Sequence, residues 1–248
     1  MSGPDYDAVI AGGGLAGLTL AAHLAAGGWR DRRVLVVDDR AARPTAVSWG
    51  FWSDRAGLLD DAVSRTYDRV RVRAAGTDLT LPLGRYRYRI VRRSDLARVV
   101  RWMLHRCRGF EFRAGHVEGV HDGAEAAETV VDGHVVRSTW AFDSAGRSPT
   151  GAPIDARLAF TGWEVVCDRP RFDPDEPTLF DFRAAPAGGA HFVYVLPADP
   201  CRALVELTAF VPRHSAPPSS MDRRSGIATY LRDVCAARTI GFCGPNPR

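Results

Sequence analysis

The first forty residues alternate between short apolar runs and a glycine-rich turn. Residues 6–11 form an apolar run that predicts a buried strand, and residues 12–17 follow with the sequence Gly-Gly-Gly-Leu-Ala-Gly. Residues 18–26, rich in Ala and Leu at helical spacing, predict a helix, and residues 33–38 predict a second buried strand that ends in an acid. Strand, glycine turn, helix and strand in this order predict a βαβ unit.

The glycines of this unit have the spacing of a dinucleotide-binding turn. In that interpretation Gly12 allows the tight turn, Gly14 lets the backbone approach a pyrophosphate, and Gly17 lets the helix pack closely on the strand. Asp38, 21 residues after Gly17, is placed to accept hydrogen bonds from a ribose. A purely structural turn is the alternative, and the pattern alone does not separate FAD from NAD.

The next hundred residues predict strands around one helix. Trp49, Phe51 and Trp52 are three aromatics in four positions, which suit either core packing or an apolar wall beside a ligand. Residues 85–90 alternate so that three arginines share one strand face, either solvated or in contact with anionic lipid. Ser94 is a candidate N-cap for a helix over residues 95–106.

The composition of the chain excludes several kinds of functional site. The 248 residues are 46% hydrophobic and 25% charged, which indicates a globular protein, and the five cysteines form no CxxC pair, so neither a disulfide framework nor a zinc site is expected. All 33 basic residues are Arg, which excludes chemistry that needs a lysine. They are scattered, so we expect no nucleic-acid binding, and the dispersed histidines predict no metal site. No stretch predicts a secretory signal or a membrane-spanning helix, and the expected compartment is the cytoplasm.

Two strand-like runs, residues 110–120 and 130–142, precede a second signature, and Asp132-Gly133 predicts a hairpin turn. The second run ends in Asp143-Ser-Ala-Gly146, which resembles the second flavin motif of two-dinucleotide-type flavoproteins. In that motif the Asp contacts the ribityl chain and the Gly admits the cofactor to the backbone. Paired with the N-terminal glycines, this resemblance favours FAD over NAD.

Four further segments, together with the flavin motifs, resemble the bacterial type of the lycopene cyclase family. They are Trp-Gly-Phe-Trp at 49–52, Gly-Trp-Glu at 162–164, Asp-Phe-Arg at 181–183 and Leu-Val-Glu-Leu-Thr at 204–208. The resemblance implies cyclisation of the linear polyene lycopene to β-rings with reduced FAD, without net redox change, and NAD(P)H as the reductant. It also assigns the catalytic acid to Glu206. The related plant motif has a second Glu next to this one, where this chain has Leu207.

The residues around Glu206 support an acid role on their own. Glu206 is the only charge in residues 203–211 and shares a strand face with Leu204, Thr208 and Phe210. Apolar surroundings raise the pKa of a carboxyl, and protonation of an alkene needs such a water-poor acid. The alternative is an exposed carboxylate on an edge strand.

Asp181 is a candidate substrate-binding residue with an alternative of its own. Its carboxylate either helps to shape the substrate site or pairs with Arg183, and pairing is the favoured interpretation. Glu164 suits either a second acid beside the substrate or a plain surface position.

The predicted fold is α/β, with a Rossmann-like FAD-binding domain of the glutathione reductase type interleaved with a mixed β-sheet substrate domain. We assign residues 1–45 and 86–150 to the FAD domain, residues 46–85 and 151–212 to the substrate domain, and residues 213–248 to a linker and tail. Compared with the family pattern, a C-terminal part is expected to be missing, and a partner chain is one possible source of it. Lycopene is dissolved in bilayers, so a peripheral membrane contact is expected. The alternatives are a flavin oxidoreductase or monooxygenase acting on another apolar substrate, and an inactive remnant or fragment of a split enzyme.

Overall fold

The structure is a computed structural model that describes residues 4–39, 47–145, 156–184, 191–212, 220–233 and 242–243. The chain divides into two compact units. Unit 1 comprises residues 1–51, 55–65 and 89–150, and unit 2 comprises residues 52–54, 66–88 and 151–248.

The described residues form three α-helices and sixteen strands. The helices are α1 (Leu15–Ala26), α2 (Arg93–Leu104) and α3 (Ser220–Asp233). The strands are β1 (Tyr6–Ala11), β2 (Val34–Val37), β3 (Ser48–Ser53), β4 (Val63–Tyr67), β5 (Arg69–Ala74), β6 (Thr77–Pro82), β7 (Arg87–Arg92), β8 (Phe110–Arg113), β9 (Val117–Asp122), β10 (Ala127–Val131), β11 (His134–Asp143), β12 (Ala156–Val166), β13 (Thr178–Asp181), β14 (His191–Asp199), β15 (Arg202–Pro212) and β16 (Phe242–Cys243).

The sheet of unit 1 has the strand order β8-β2-β1-β11-β10-β9. Strands β8, β2, β1 and β11 are parallel, and β10 and β9 complete the sheet in antiparallel fashion. The last four residues of β1 and all of β2 are buried, which explains their continuous apolar sequence. Parallel pairing brings the carboxyl ends of β2, β1 and β11 to one edge of the sheet, with Ala11 opposite both Val37 and Asp143.

Helices α1 and α2 contribute to one hydrophobic core with β1 and β2. Helix α1 begins at Leu15, three residues before the predicted start. Helix α2 begins at Arg93 after Arg92 as the N-cap, with no side-chain cap hydrogen bond, so the prediction that Ser94 caps this helix is wrong. The buried residues of α2, Leu96, Val99, Val100 and Leu104, have helical spacing, and this apolar face positions the helix rather than a cap.

The predicted hairpin at Asp132-Gly133 is confirmed. Both residues have positive φ, 49° and 76°, and they connect β10 to β11. A separate three-stranded sheet has the order β3-β7-β4. The predicted arginine strand, residues 85–90, corresponds to β7, which begins at Arg87 and therefore does not include Arg85. In β7, Arg89 donates a 2.6 Å hydrogen bond to Asp60.

The sheet of unit 2 has the order β16-β12-β15-β14-β13-β5-β6. Strand β15 is therefore an interior strand, antiparallel to β12 along its whole length and antiparallel to β14 on its other side. The odd-numbered residues of β15 from Ala203 to Val211 are all buried. Their face belongs to one side of the sheet, and the even-numbered residues, including Glu206, lie on the other.

Helix α3 contributes Ile227, Tyr230 and Leu231 to the core on the odd-numbered face. A Cβ at Gly226 would come within 2.9 Å of a Leu207 methyl group, so this glycine lets the helix lie close to β15. The helix begins at Ser220, inside the segment predicted as a linker. It is stabilised there because its apolar residues 227, 230 and 231 share one face and are buried against the sheet.

Within the part of the chain that the structure describes, no helix is both long and apolar enough to cross a membrane.

Candidate functional site

The glycine turn of unit 1 joins the ends of β1 and β11 to the start of α1. Gly12 has φ +109°, and a Cβ there would lie 2.8 Å from the Ser144 carbonyl oxygen. A Cβ on Gly17 would lie 1.9 Å from the Gly12 carbonyl oxygen, so helix and turn approach as closely as the sequence predicts. The Ser144 hydroxyl is 3.0 Å from both the Ala11 and the Gly12 carbonyl oxygens and fastens β11 to the turn.

Gly14 differs from the other two glycines because, among the residues that the structure describes, no atom lies within 4 Å of a Cβ placed there. It is the N-cap of α1, with no side-chain cap hydrogen bond and no acid in the first helical turn. Neither a capping side chain nor an acid of the first turn therefore neutralises the first N–H groups and the positive end of the helix dipole. This arrangement fits the phosphates of a dinucleotide.

Asp38 follows β2 and forms an ion pair with Arg93, the first residue of α2. The Arg93 guanidinium also lies 3.4 Å from the Gly13 carbonyl oxygen. Both side chains are largely buried, with exposed fractions of 14% and 11%. The sequence does not indicate a role for Arg93, because only the folded chain brings α2 to the edge of the sheet where the glycine turn lies.

Asp143, the last residue of β11, lies opposite Ala11 at the same edge of the sheet. Its carboxylate accepts a 3.0 Å hydrogen bond from the Ala145 N–H. The structure thus brings Gly12, Gly14, Gly17, Asp38 and Asp143 to one edge of the sheet, and their role in holding a cofactor stays a prediction. Gly146 lies outside the described residues.

A second group of candidate residues lies in unit 2 around Glu206. Glu206 is paired with Gly162 of β12 on one side and with Tyr194 of β14 on the other. Directly opposed residues of antiparallel strands share a face, so the three form a row across the sheet. The next row contains Phe160, Thr208 and Phe192. Because β15 is an interior strand, the alternative of an edge-strand carboxylate does not apply.

Burial raises the pKa of Glu206 above its ordinary value, and a hydrogen bond from the Thr208 hydroxyl, at 3.4 Å, partly opposes the rise. Burial also raises the pKa of Tyr194, and the Glu206 charge adds to that effect. The pKa of Tyr88 rises to about 12, mainly through burial and with a contribution from the charge of Glu206. The carboxyl therefore lies in a site that disfavours negative charge.

Five aromatic rings, which we call the aromatic cluster, pack against one another on the Glu206 side of the unit 2 sheet. They are Phe180, Phe182, Phe192, Tyr194 and Phe210. The ring centroids of Phe192 and Tyr194 are 5.1 Å apart, and those of Phe180 and Phe192 are 5.2 Å apart. On the same sheet face Leu158, Phe160 and Phe210 are about half exposed, at 53%, 45% and 47%. The acid therefore lies on a surface suited to a hydrocarbon.

The three aromatics near residue 50 do not form one wall. Trp49 packs against the core of unit 1, which is the core-packing interpretation of that residue. Phe51 is 39% exposed. Trp52 lies in unit 2 with its ring 5.0 Å from that of Tyr88, the tyrosine whose pKa the Glu206 charge raises. Of the three, Trp52 is the one that the structure connects to the Glu206 surroundings.

Asp181 lies on the opposite face of the sheet from Glu206. The preceding residue, Phe180, belongs to the aromatic cluster, whereas Asp181 accepts a 2.8 Å hydrogen bond from Tyr230 of α3. Arg183 binds both oxygens of the same carboxylate, at 2.9 and 2.7 Å. The structure thus shows the pairing with Arg183 and does not bring Asp181 to the predicted acid. Glu164 is exposed on β12.

Three solved structures illustrate what the fold resembles. The p-nitrophenol 4-monooxygenase of Pseudomonas putida has a TM-score of 0.66 and 17% identity, covering 99% of this chain and 68% of the enzyme. A geranylgeranyl bacteriochlorophyll reductase-like protein of Thermoplasma acidophilum has a TM-score of 0.60 and 14% identity, covering 98% and 66%. Halogenase PltM, in complex with phloroglucinol and FAD, has a TM-score of 0.60 and 14% identity, covering 98% and 60%. The predicted fold class is confirmed, and the chain spans 60% to 68% of the lengths of these proteins.

The sequence comparisons differ in their outcome. No curated protein matches the chain significantly. The family model described as lycopene cyclase protein matches residues 7–238, which is nearly the whole chain. The chain therefore belongs to the lycopene cyclase family.

Proposed function

We propose that this chain is a lycopene β-cyclase that uses reduced FAD to close the ends of lycopene into β-rings. The observation that supports this most directly is Glu206, a carboxyl with a raised pKa on an apolar, aromatic sheet face. Membership of the lycopene cyclase family supports the same reaction.

The edge of the unit 1 sheet is the proposed FAD site. Its residues are Gly12, Gly14, Gly17, Asp38, Asp143 and Gly146. The open space at Gly14 and the uncapped start of α1 fit a pyrophosphate, and a protein of the same fold is known with FAD bound. When bound, reduced FAD would supply the electron-rich flavin that the cyclisation requires, without net electron transfer.

Glu206 performs the proton chemistry in this proposal. The neutral carboxylic acid donates its proton to the terminal double bond of the polyene, and a tertiary carbocation forms. A second double bond then closes the ring by forming a carbon–carbon bond to the cation. The Glu206 carboxylate takes up the proton that leaves the ring, so atoms and charges balance and the reaction is an isomerisation.

The aromatic cluster has two effects in this scheme. Tyr194 flanks the acid, and Phe192 and Phe210 lie further along the same sheet face, so that the three rings offer π faces or edges to the positive charge that develops on the substrate. The same rings keep water away from a cation that water would capture. Because Tyr194 and Tyr88 both have raised pKa values, their rings remain neutral phenols near neutral pH.

Product mass tests the proposal. The chain is loaded with FAD, reduced with dithionite under anaerobic conditions and incubated with lycopene in detergent, and the products are analysed by chromatography and mass spectrometry. We expect ring-containing products of unchanged mass from the wild type, and none from Glu206→Gln. Products with added oxygen, or with hydrogens gained or lost, would overturn the cyclase assignment.

A flavin oxidoreductase acting on another apolar substrate is the second candidate. The fold similarity to a monooxygenase, a reductase-like protein and a halogenase favours it. The same mass measurement separates the two candidates, because oxidation and reduction change the mass of the substrate whereas cyclisation does not.

We also propose that unit 1 contacts the membrane through the outer face of α2. Arg98, Arg101, Trp102 and His105 are exposed at helical spacing, opposite the buried face of the helix. Trp102 is 65% exposed, and the one acid of the helix, Asp95, pairs with Arg98 at 3.6 Å. An exposed Trp among cationic side chains is typical of an interface with anionic lipid headgroups.

A further inference from the structure

We propose that the space above Gly162 receives the branched end group of the polyene, and that the absence of a side chain at this position sets which end groups fit. The inference rests on the proposed function, because it takes Glu206 as the acid. It names the residue that limits the size of the substrate at that acid.

The row of three residues across the sheet defines the space. Glu206 is flanked by the Tyr194 ring on the β14 side and by Gly162 on the β12 side. All three positions face the same way. One flank of the carboxyl is therefore covered by an aromatic side chain, and the other carries none.

The distances show how much a side chain at residue 162 would change. A Cβ there would lie 3.4 Å from the Glu206 Oε2 and 3.2 Å from the Leu204 Cδ1. Both atoms belong to side chains, so the backbone accepts alanine after a small shift of Leu204. The new methyl group, however, would occupy the space directly beside the carboxyl oxygen. Gly162 therefore lets the substrate reach the Glu206 carboxyl, and the backbone conformation of β12 does not require a glycine there.

The surroundings of this space match a branched hydrocarbon end. The exposed Glu164, two residues after Gly162 on β12 and opposite Leu204, lies at the edge of this space. Its apolar neighbours are Leu204 and Phe160, two residues before Gly162. A terminal carbon with two methyl groups would contact these apolar groups while its double bond reached the acidic oxygen. One additional methyl group in a close-fitting pocket changes discrimination by roughly 10- to 200-fold.

The test measures polyene binding in a variant that cannot catalyse cyclisation. In the Glu206→Gln background, lycopene and a synthetic analogue lacking one terminal methyl at each end are titrated, and the shift of the polyene absorbance is followed. We expect Gly162→Ala in this background to weaken lycopene binding about tenfold or more and analogue binding by less than about twofold. The matched control is Gly57→Ala, because a Cβ at Gly57 would make only an ordinary 3.5 Å contact with Asp60. We expect that control to leave both affinities unchanged.

Each outcome has a separate meaning. Equal effects of Gly162→Ala on both ligands, with an unchanged thermal midpoint, would overturn the role of residue 162 and leave the cyclase proposal standing. Equal effects with a lowered thermal midpoint would show a structural role and would also overturn it. If the Glu206→Gln chain binds no polyene and the wild type leaves lycopene unreacted in the product assay, the proposed function itself is contradicted.

Discussion

The Tyr230 hydroxyl donates a 2.8 Å hydrogen bond to Asp181, a carboxylate whose side chain has no exposed surface. Burial by itself raises the pKa of Asp181, but the hydrogen bonds from Arg183 and Tyr230 outweigh it, and the pKa lies below its ordinary value. The contact joins α3 to β13 on the face away from Glu206. Asp181 therefore stabilises unit 2, and its charge is satisfied within the fold.

Tyr230→Phe is expected to lower the free energy of unfolding by about 2 kcal/mol, because a buried carboxylate loses one charge-assisted hydrogen bond. Urea unfolding measures the change. The matched control is Tyr86→Phe, at a residue that is 42% exposed. Cyclisation by the folded Tyr230→Phe protein should equal that of the wild type. Lost activity at unchanged stability would instead place this contact in the substrate site.

The glycine turn yields a prediction that separates folding from cofactor binding. Gly17→Ala places a methyl 1.9 Å from the Gly12 carbonyl oxygen, so it should destabilise the chain. Gly14→Val places its side chain where no described atom lies within 4 Å of the Cβ, so it should lower the thermal midpoint far less than Gly17→Ala does, through the loss of a favoured N-cap residue alone. If FAD occupies that space, Gly14→Val should abolish flavin retention after desalting, while Gly57→Ala retains it. Equal flavin content in Gly14→Val and the wild type would refute the proposed pyrophosphate position.

The local sequence predicted the glycine turn and the strands around it well, because these parts are short-range. The glycine spacing, the apolar strands and Asp38 all lie within forty residues, and the parallel register then brings Asp143 to the same edge. Arg93 was missed because its contact with Asp38 spans 55 residues and depends on how α2 packs.

The surroundings of Glu206 were predicted less completely. Strand periodicity gave the face of Glu206, but only the pairing of β12, β15 and β14 shows that Gly162 and Tyr194 flank it. The alternation of Phe192 and Tyr194 was a visible signal for the aromatic cluster. Trp49, a candidate for the apolar wall beside the substrate, packs against the core of unit 1 instead.

The raised pKa of Glu206 predicts a pH dependence of stability. Ionisation is less favourable in the folded chain than in the unfolded chain, so the contribution of this carboxyl is fully present below its ordinary pKa of 4.5. That contribution is lost as the pH rises through the higher pKa of the folded state. Glu206→Gln stays neutral, so its unfolding free energy should increase relative to that of the wild type as the pH rises from 4.5 through the higher pKa of the folded state.

Urea unfolding across this range measures the difference between the two proteins. Glu164→Gln is the control, because it removes an exposed carboxyl from β12 of the same sheet and measures the effect of that change without burial. A difference between wild type and Glu206→Gln that stays constant over the whole range would show that burial does not perturb this acid.

The outer face of α2 predicts selective binding to anionic bilayers. The chain should sediment with phosphatidylcholine vesicles that contain about 30% phosphatidylglycerol, and less with phosphatidylcholine alone. Trp102→Ala should weaken this binding several-fold, whereas Trp140→Ala, at a residue that is 58% exposed on β11, should not. Equal effects of the two substitutions, or binding to nucleic acid in preference to vesicles, would contradict the proposed surface.

The most direct test of Glu206 as a proton donor is cyclisation in deuterated water. The carboxyl exchanges its proton with solvent, so each ring closure should add one deuterium from solvent to the product, and Glu206→Gln should give no ring. Mass spectrometry of the rings formed by the reduced, FAD-loaded chain measures the label. Cyclised product without deuterium, or labelled rings from Glu206→Gln, would contradict the assignment of Glu206 as the acid.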